Sequence, residues 1–257
     1  MVTIKSEREI EAMAEAGALV AETLQLVRDS ARPGVSTERL DQLAEDFIRS
    51  HDGATPSFKG LYDFPKSLCT SINDEVVHGI PSPERILKDG DIISVDCGVC
   101  IDGLHGDAAA TIPVGEVGDE VRQLLDVTQE CLRLGIEQAK DGGHVGDIGH
   151  AVQTAAEAAG YSVVRELVGH GIGTTFHEEP QVPNFGRRGR GMRLKQGMTI
   201  AIEPMINIGG REIRTLPDKW TVVTADGSLS AHFEHTVLIQ QGVARILTAP
   251  NPVPATS

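Results

Sequence analysis

The sequence contains few aromatic residues, and it has fewer basic than acidic side chains. Only 4% of its 257 residues are aromatic, among them a single tryptophan and two tyrosines. The 23 Lys and Arg residues against 37 Asp and Glu residues give a formal net charge of −14, which argues against a general nucleic-acid binder. No apolar run approaches the length of a membrane span, and the first residues, MVTIKSEREIEAM, hold no signal-peptide core. We therefore expect a cytoplasmic protein without a membrane contact.

Cysteine is scarce as well. The four cysteines, Cys69, Cys97, Cys100 and Cys131, do not form the pattern of a disulfide framework. Cys97-x-x-Cys100 matches half of a zinc or redox motif, but this odd spacing in a strand points the two thiols to opposite faces. The sequence has no second Cys-x-x-Cys to complete a zinc site. We therefore predict core cysteines in a reducing compartment.

The stretch from Leu87 to Thr111 has the pattern of a β-hairpin that carries two carboxylates. A β-rich run ends on Asp96, the turn signal Asp102-Gly103 follows, and the chain then reaches Asp107. Depending on where the turn is centred, Asp107 pairs with Asp96 or with Gly98. Either register puts the two acids on one face of the sheet. Because facing carboxylates repel each other and lose solvation, we expect a cation between them.

The same stretch recurs downstream. Residues 87–96, LKDGDIISVD, align with residues 194–203, LKQGMTIAIE, and an acid closes both segments. A second acid, Glu234, follows Glu203 in the strand-like segment SAHFEHTVLI, as a second acid follows Asp96. This pattern indicates an internal duplication whose halves each donate two carboxylates to a shared centre.

The helix signals support two similar halves. A capping box at Ser6-x-x-Glu9 opens a helix that stops near Pro33-Gly34, and a second helix runs from Ser36 or Thr37 to before Gly53. Downstream, helices are predicted over residues 119–140 and 147–159, and strand-rich blocks follow each helix pair. We predict an α/β (α+β) fold, with antiparallel sheets backed by helices, in one domain over residues 1–250. Its halves span about 1–115 and 116–250, and residues 251–257 form a disordered tail.

The candidate ligands combine four carboxylates with one imidazole: Asp96, Asp107, His170, Glu203 and Glu234. No cysteine joins them, so structural zinc fits poorly, whereas oxygen donors with one histidine suit Mn²⁺, Fe²⁺, Co²⁺ or Zn²⁺. Four negative charges balance two divalent cations. A pair of ions can lower the pKa of a water enough to give hydroxide at neutral pH, which is the chemistry of a hydrolase.

At this point the sequence resembles the bacterial type I methionine aminopeptidases, from about Ile10 to Leu247. The motifs that carry the resemblance are SINDEVVHGIP, VDCGVCIDGLHGDAAAT, GHGIGTTFHEEPQVPNFG, IEPM and DGSLSAHFEHTVL, which begin at residues 71, 95, 169, 202 and 226. The resemblance implies the pita-bread fold of two pseudo-symmetric halves and places the family's five metal ligands on the five candidates. It also implies removal of the initiator methionine from nascent proteins when the second residue is small, by a hydroxide that bridges two divalent metals.

Further roles follow from the resemblance alone. His177 would hydrogen-bond the scissile carbonyl, His78 would contact the peptide nitrogen and could assist proton delivery to it, and Glu203 would be both ligand and proton acceptor. His105 would support the neighbouring ligand. Methionine recognition requires an apolar pocket, for which the implied residues are Phe58, Leu61, Phe64, Cys69, Phe176 and Trp220. Leu61 departs from the pattern, because a tyrosine is common there, and Phe58 and Phe64 stand at variable positions.

Two further sites remain as expectations. Asn73 and Ser230 match positions that hold a monovalent cation in some relatives. A basic run in this acidic chain, Arg187, Arg188, Arg190, Arg193 and Lys195, is either a solvated glycine-rich loop or a contact with ribosomal RNA. Nothing in the sequence demands more than a monomer.

Two alternatives stay open. The first is another metallopeptidase of the same fold, a prolidase or aminopeptidase P, although those usually carry an additional N-terminal domain. The second is a non-catalytic pita-bread protein that binds nucleic acid or partners, although such relatives typically lose ligands and this sequence retains all five.

Overall fold

The computed structural model describes residues 2–249, so the predicted disordered tail lies outside the described residues. Its helices are α1 (Glu7–Ser30), α2 (Thr37–Arg49), α3 (Asp119–Gln138) and α4 (Val145–Ala158). A 3₁₀ turn spans Leu61–Asp63. No helix within residues 2–249 is long and apolar enough to cross a membrane.

The helix starts confirm the capping signals. The Ser6 side chain accepts a hydrogen bond from the Glu9 N–H, and the Glu9 carboxylate accepts the Ser6 N–H at 2.7 Å. Helix α1 ends at Ser30, before the predicted Pro33-Gly34, because a residue that precedes proline disfavours helical backbone. Helix α4 begins two residues earlier than predicted, since Asp147 lies in its first turn and accepts the His144 N–H at 2.8 Å.

Within residues 2–249, fifteen strands form four antiparallel sheets. The strands are β1 (Thr55–Pro56), β2 (Leu68–Ile72), β3 (Glu75–Val77), β4 (Ile92–Ile101), β5 (Leu104–Pro113), β6 (Ser162–Val163), β7 (Gly169–Gly171), β8 (Glu178–Val182), β9 (Thr199–Ile202), β10 (Met205–Asn207), β11 (Ile213–Thr215), β12 (Val222–Thr224), β13 (Ser230–His232), β14 (His235–Leu238) and β15 (Arg245–Ile246). One sheet has the order β1-β4-β2, with β5 also paired to β4, and the largest runs β15-β14-β9-β7-β8. Two three-stranded sheets, β13-β10-β6 and β11-β12-β3, complete the set.

The predicted hairpin is the β4–β5 pair. Asp107 lies opposite Gly98, and Asp96 lies opposite Ala109, so the structure selects the second of the two predicted registers. Asp96 is two residues from Gly98, the partner of Asp107, and Asp107 is two residues from Ala109, the partner of Asp96. They therefore share one face of the sheet, as both registers required.

The duplication is visible in the strand registers, with one difference from the prediction. Gly98 opposite Asp107 in the first half corresponds to Met205 opposite His232 in the second. The β9–β14 register, extended by one residue beyond its last pair, then sets Glu203 opposite Glu234. Position 234 is therefore the counterpart of Ala109, and His232 takes the place that Asp107 has in the first half.

The second copy of the hairpin is also interrupted. The predicted strand SAHFEHTVLI divides into β13 and β14 around Phe233-Glu234, and the opposite strand divides at Glu203-Pro204. Proline has no N–H to donate to the ladder, which accounts for the break. Both strands of this hairpin pass from one sheet to another at this point, and the predicted ligands Glu203 and Glu234 lie there.

The helices cover the sheets and close two large apolar clusters. One cluster is formed by buried residues between Leu19 and Val114, from α1, α2, β4 and β5. The other draws almost entirely on residues between Leu124 and Ala244, around α3 and α4. A third, smaller cluster contains Met13, Phe58, Phe176 and Leu238, and it joins residues from both halves around the cavity described below.

Candidate metal centre and cavity

One cavity of about 290 Å³ collects the residues that the sequence singled out. All thirteen predicted site residues line it, and Tyr62 is the one further lining residue. The lining comprises Phe58, Leu61, Tyr62, Phe64, Cys69, His78, Asp96, Asp107, His170, Phe176, His177, Glu203, Trp220 and Glu234. Four carboxylates and three histidines belong to this lining, and the rest of the wall is apolar or aromatic.

Strand ends and strand faces bring the five candidate ligands together. Asp96 and Asp107 project from the β4–β5 hairpin, and His170 lies in the middle of β7. Glu203 directly follows β9, and Glu234 directly precedes β14. Since β7 and β14 both pair with β9, the His170, Glu203 and Glu234 side chains belong to three adjacent strands.

The ligand atoms converge. One atom each from Asp107, His170 and Glu234 lies within 4.8 Å of the other two. The His170 Nε2 atom is 3.7 Å from Asp107 Oδ2 and 3.7 Å from Glu203 Oε1. Its Nδ1 atom lies 2.8 Å from the Gly171 carbonyl oxygen, and a hydrogen bond donated there fixes the tautomer that leaves the Nε2 lone pair free.

Among residues 2–249, no Lys or Arg side chain forms an ion pair with any of the four carboxylates. Burial, together with the charges of neighbouring carboxylates, holds the pKa values of Asp96, Glu203 and Glu234 well above their usual range. Burial also raises the pKa of Asp107 to about 7, although hydrogen bonds with Asp96 and Glu234 oppose the shift. Buried carboxylates that are destabilised in this way require positive charge between them.

Unpartnered oxygens point to the same conclusion. Asp96 Oδ1, Asp107 Oδ1 and Glu234 Oε1 are buried without a hydrogen-bond partner among the described residues. Buried polar atoms are rarely left so in a folded protein. These residues therefore fit divalent cations, since the donors are hard oxygens with one imidazole nitrogen.

The apolar wall is built from paired aromatic rings. Phe58 and Phe176 meet edge to face with ring centroids 5.3 Å apart, and Phe64 and Trp220 do so at 5.0 Å. Gly98 supplies the room for the first pair. A Cβ at this position would lie 2.9 Å from a Phe176 ring carbon and 3.0 Å from one of Phe58.

His78 and His177 lie on the cavity wall with depressed pKa values. Burial, with a smaller effect of the other histidine, lowers the pKa of His78 to about 4. Burial and the neighbouring His170 and His105 lower the pKa of His177 to about 4. The His78 backbone has φ 61°, a left-handed conformation that costs energy for a non-glycine residue and is frequent at functional sites. Because both pKa values are about 4, the two imidazoles are neutral near pH 7 and can offer one N–H each.

Tyr62 is a lining residue that the sequence reasoning left out. Its ring stacks on His177 with centroids 5.7 Å apart and an interplanar angle of 18°, and its hydroxyl lies 3.3 Å from His177 Nδ1. A signal for Tyr62 was present in the sequence, because the family commonly has a tyrosine at the position of Leu61 and Tyr62 is the adjacent residue. Tyr62 and Asp63 both have a left-handed backbone, with φ of 50° and 68°, and Tyr62 is 64% exposed while it lines the cavity.

The remaining predictions have mixed outcomes. His105 bonds through Nδ1 to Ser57 Oγ at 2.9 Å and packs on Phe176.

The four cysteines are free thiols, as predicted, but Cys100 is only half-buried because it lies near the hairpin end. The side chain of Asn73 is bonded to Asp91 and Ile92, whereas Ser230 Oγ is buried without a partner among residues 2–249. The five basic residues between 187 and 195 are all exposed.

Comparison with known proteins gives three findings. Residues 11–241 match the profile of metallopeptidase family M24. The methionine aminopeptidase of Clostridium perfringens is 53% identical over 248 residues, which cover 96% of this chain and 99% of that protein. A crystal structure of methionine aminopeptidase from Thermotoga maritima superposes with a TM-score of 0.95 at 44% identity, covering 96% of this chain and 99% of that chain.

A more distant comparison bears on the first alternative. The prolidase from Pyrococcus furiosus superposes with a TM-score of 0.77 at 22% identity, and the match covers 97% of this chain but 66% of that one. At this identity the likeness shows the fold alone.

Proposed function

This chain belongs to metallopeptidase family M24, and we propose that it removes the N-terminal methionine from nascent proteins whose second residue is small. The predicted fold and enzyme class are confirmed: the chain has the pita-bread fold and is a metal-dependent aminopeptidase. The observation that carries the proposal is that four carboxylates and His170 line one cavity and approach one another there.

We propose that Asp96, Asp107, His170, Glu203 and Glu234 hold two divalent ions, drawn from Co²⁺, Mn²⁺, Fe²⁺ and Zn²⁺. Four carboxylates balance the charge of two such ions, and the oxygen-rich donor set accepts each of these metals. Ions bound there would lower the pKa of a water and polarise the scissile carbonyl. Element-specific anomalous scattering from protein purified without added metal would identify the ions.

Glu203 is the proposed proton acceptor for the attacking water. Its side chain is only 14% exposed, and this burial raises its pKa, with a further contribution from the charges of Asp107 and Asp96. A carboxylate with a raised pKa is a stronger base near neutral pH than an ordinary glutamate.

His177 and His78 are the proposed substrate contacts. As neutral imidazoles, each can donate one N–H, His177 to the carbonyl oxygen and His78 to the region of the peptide nitrogen. Because the pKa of His78 is about 4, its imidazole is neutral at pH 7 and carries no extra proton to give. His78 would therefore orient the substrate, and it could pass a proton to the peptide nitrogen only by taking up another proton in return. The Tyr62 ring would hold His177 in place by stacking on it.

The methionine side chain is proposed to occupy the aromatic part of the cavity. Phe58, Leu61, Phe64, Cys69, Phe176 and Trp220 offer dispersion and shape, which is what a thioether can be recognised by. The cavity volume of about 290 Å³ is small for a ligand site, which suits a single unbranched side chain.

The test is hydrolysis of the peptide Met-Ala-Ser by the purified protein. We expect free methionine, loss of the activity with a chelator, and recovery with Co²⁺ or Mn²⁺. A Met-Lys-Ser peptide should be a poor substrate, and an Ala-Pro dipeptide should remain intact. Cleavage of Ala-Pro without cleavage of Met-Ala-Ser would favour a prolidase, and no metal-dependent cleavage of either would favour a non-catalytic protein.

Further proposals concern the setting of the enzyme. Action on nascent chains would place it in the cytoplasm, as a monomer with one catalytic domain over residues 1–250. The smaller apolar cluster that joins both halves supports the single domain. A monovalent cation near Asn73 and Ser230 is supported by the unpartnered Ser230 hydroxyl.

The exposed basic loop is the proposed ribosome contact. Its five cationic side chains, Arg187, Arg188, Arg190, Arg193 and Lys195, project from an acidic protein and could bind RNA phosphates. Replacing the four arginines with glutamine should abolish co-sedimentation with ribosomes. Unchanged co-sedimentation would leave the loop as a solvated segment.

A further inference from the structure

A sixth polar side chain faces the candidate metal centre. His232 is 1% exposed, and the sequence reasoning gave it no role. In the strand registers it lies opposite Met205, which makes it the counterpart of the ligand candidate Asp107 opposite Gly98. The second half of the duplication therefore presents an imidazole where the first half presents a carboxylate.

A hydrogen-bond clamp confirms this correspondence independently. The Thr111 hydroxyl accepts the His232 N–H at 2.9 Å and donates to the His232 carbonyl at 2.9 Å. The Thr236 hydroxyl holds Asp107 in the same way, at 3.1 Å and 2.8 Å. Each half thus fixes the backbone of the other half's residue with one threonine, and both side chains are presented from a rigid position.

The His232 ring points at two carboxylates. Its Nε2 atom is buried without a hydrogen-bond partner among residues 2–249. It lies 3.8 Å from Glu203 Oε2 and 3.9 Å from Glu234 Oε2. Glu203 is thereby placed between two imidazoles, because its other oxygen, Oε1, is 3.7 Å from His170 Nε2.

We propose that His232 is a positioning residue for Glu203. Donation of the Nε2 hydrogen to Glu203 Oε2 would hold that oxygen and leave Oε1, beside His170, for a metal ion. A movement of about 1 Å closes the present distance to that of a hydrogen bond. Carboxylates that bind metals are commonly fixed by such a donor, and its loss costs about 10–100-fold in metal affinity or activity. The inference rests on the proposed metallopeptidase function.

Two substitutions separate this role from simple packing. In His232→Gln the amide nitrogen reaches the position of Nε2, whereas in His232→Asn it reaches only that of Nδ1. We expect the Asn variant to bind Co²⁺ about 10–100-fold more weakly in calorimetry of the metal-free protein. Its Co²⁺ absorption spectrum should shift, and kcat should fall with KM little changed. The Gln variant should keep the affinity and spectrum of the unaltered protein.

His235→Asn is the matched control, since His235 is a half-buried histidine of the same segment and bonds through Nδ1 to Thr248, a contact that asparagine can reproduce. It should leave Co²⁺ affinity unchanged. Circular dichroism of each metal-free variant reports folding separately. Equal losses in the Gln and Asn variants, or no loss in either, would overturn the role of His232. If the unaltered protein neither binds Co²⁺ nor releases methionine, the proposed function itself has failed.

Discussion

The Thr236 hydroxyl accepts the backbone N–H of Asp107 at 3.1 Å and donates to its carbonyl at 2.8 Å. The two residues are 129 positions apart, and both are buried. This contact ties a predicted metal ligand of the first half to a strand of the second. The centre is therefore held by the junction of the two halves.

Thr236→Val should weaken both stability and metal binding. Valine has nearly the same shape but leaves the Asp107 N–H and carbonyl without this partner, which costs about 1–3 kcal/mol in the free energy of unfolding. Urea denaturation of the metal-free protein and Co²⁺ calorimetry measure the two effects. Thr236→Ser keeps the hydroxyl and should lose less, so equal stability of the Val and Ser variants would contradict the clamp.

Glu203→Gln should remove turnover. The amide cannot accept the proton of the attacking water, and proton transfer of this kind contributes about 10²–10⁴-fold to rate. Initial rates of methionine release from Met-Ala-Ser at saturating Co²⁺ measure the loss. Glu212→Gln, at an exposed position, is the control and should keep full activity. Turnover near that of the unaltered enzyme would remove Glu203 from the proposed role.

Gly98→Ala should raise KM for the methionyl peptide about tenfold without weakening Co²⁺ binding. The added methyl group would press on the Phe58 and Phe176 rings, and overpacking of this kind typically costs about 1–3 kcal/mol. Gly118→Ala is the control, because a Cβ there meets nothing within 4 Å and the backbone φ of −72° suits alanine. A KM unaffected at position 98 would show that the aromatic wall does not contact the substrate.

Tyr62→Ala should reduce kcat/KM about 3- to 10-fold, the equivalent of losing an aromatic contact of about 0.5–1.5 kcal/mol. The reason is that His177 loses the ring stacked on it. Tyr62→Phe keeps the stacking and should stay close to the unaltered enzyme. An equal loss in the Phe and Ala variants would show that the hydroxyl contact to Nδ1, rather than the stacked ring, supports His177. Steady-state kinetics on Met-Ala-Ser distinguish the two variants.

Glu45→Gln should destabilise the protein at neutral pH but not at pH 2. Burial opposes ionisation of Glu45, but hydrogen bonds from Lys59, Arg49 and Ser67 lower its pKa to about 2. A depressed folded-state pKa adds stability above the unfolded value, and this stability is lost as pH falls from about 4.5 to about 2. The difference at pH 7 should be about 1–3 kcal/mol.

Urea denaturation at several pH values follows this change. Glu116→Gln removes an exposed ion pair, with a 3.5 Å contact to Arg122, and should change stability by less than about 0.5 kcal/mol at every pH. A Glu45→Gln deficit that persists at pH 2 would show that packing, rather than charge, links Glu45 to its partners.

The sequence by itself determined the helices, the hairpin and the identity of the ligand candidates. Capping residues, an Asp-Gly turn and alternating strand residues act over short distances, so their signals are local and can be read along the chain. The pattern of the residues gave the five ligand candidates, and the family resemblance carried by the motifs gave the other eight of the thirteen predicted site residues that line one cavity.

Only the tertiary structure decided the hairpin register, the match of His232 with Asp107 and the stacking of Tyr62 on His177. A one-residue change in the position of the turn shifts the register, and the two possible registers of this hairpin are compatible with the same sequence pattern. The contacts of His232 and Tyr62 join residues far apart in the chain. These contacts depend on how the two halves pack, and a single sequence does not show which distant residues come close in space.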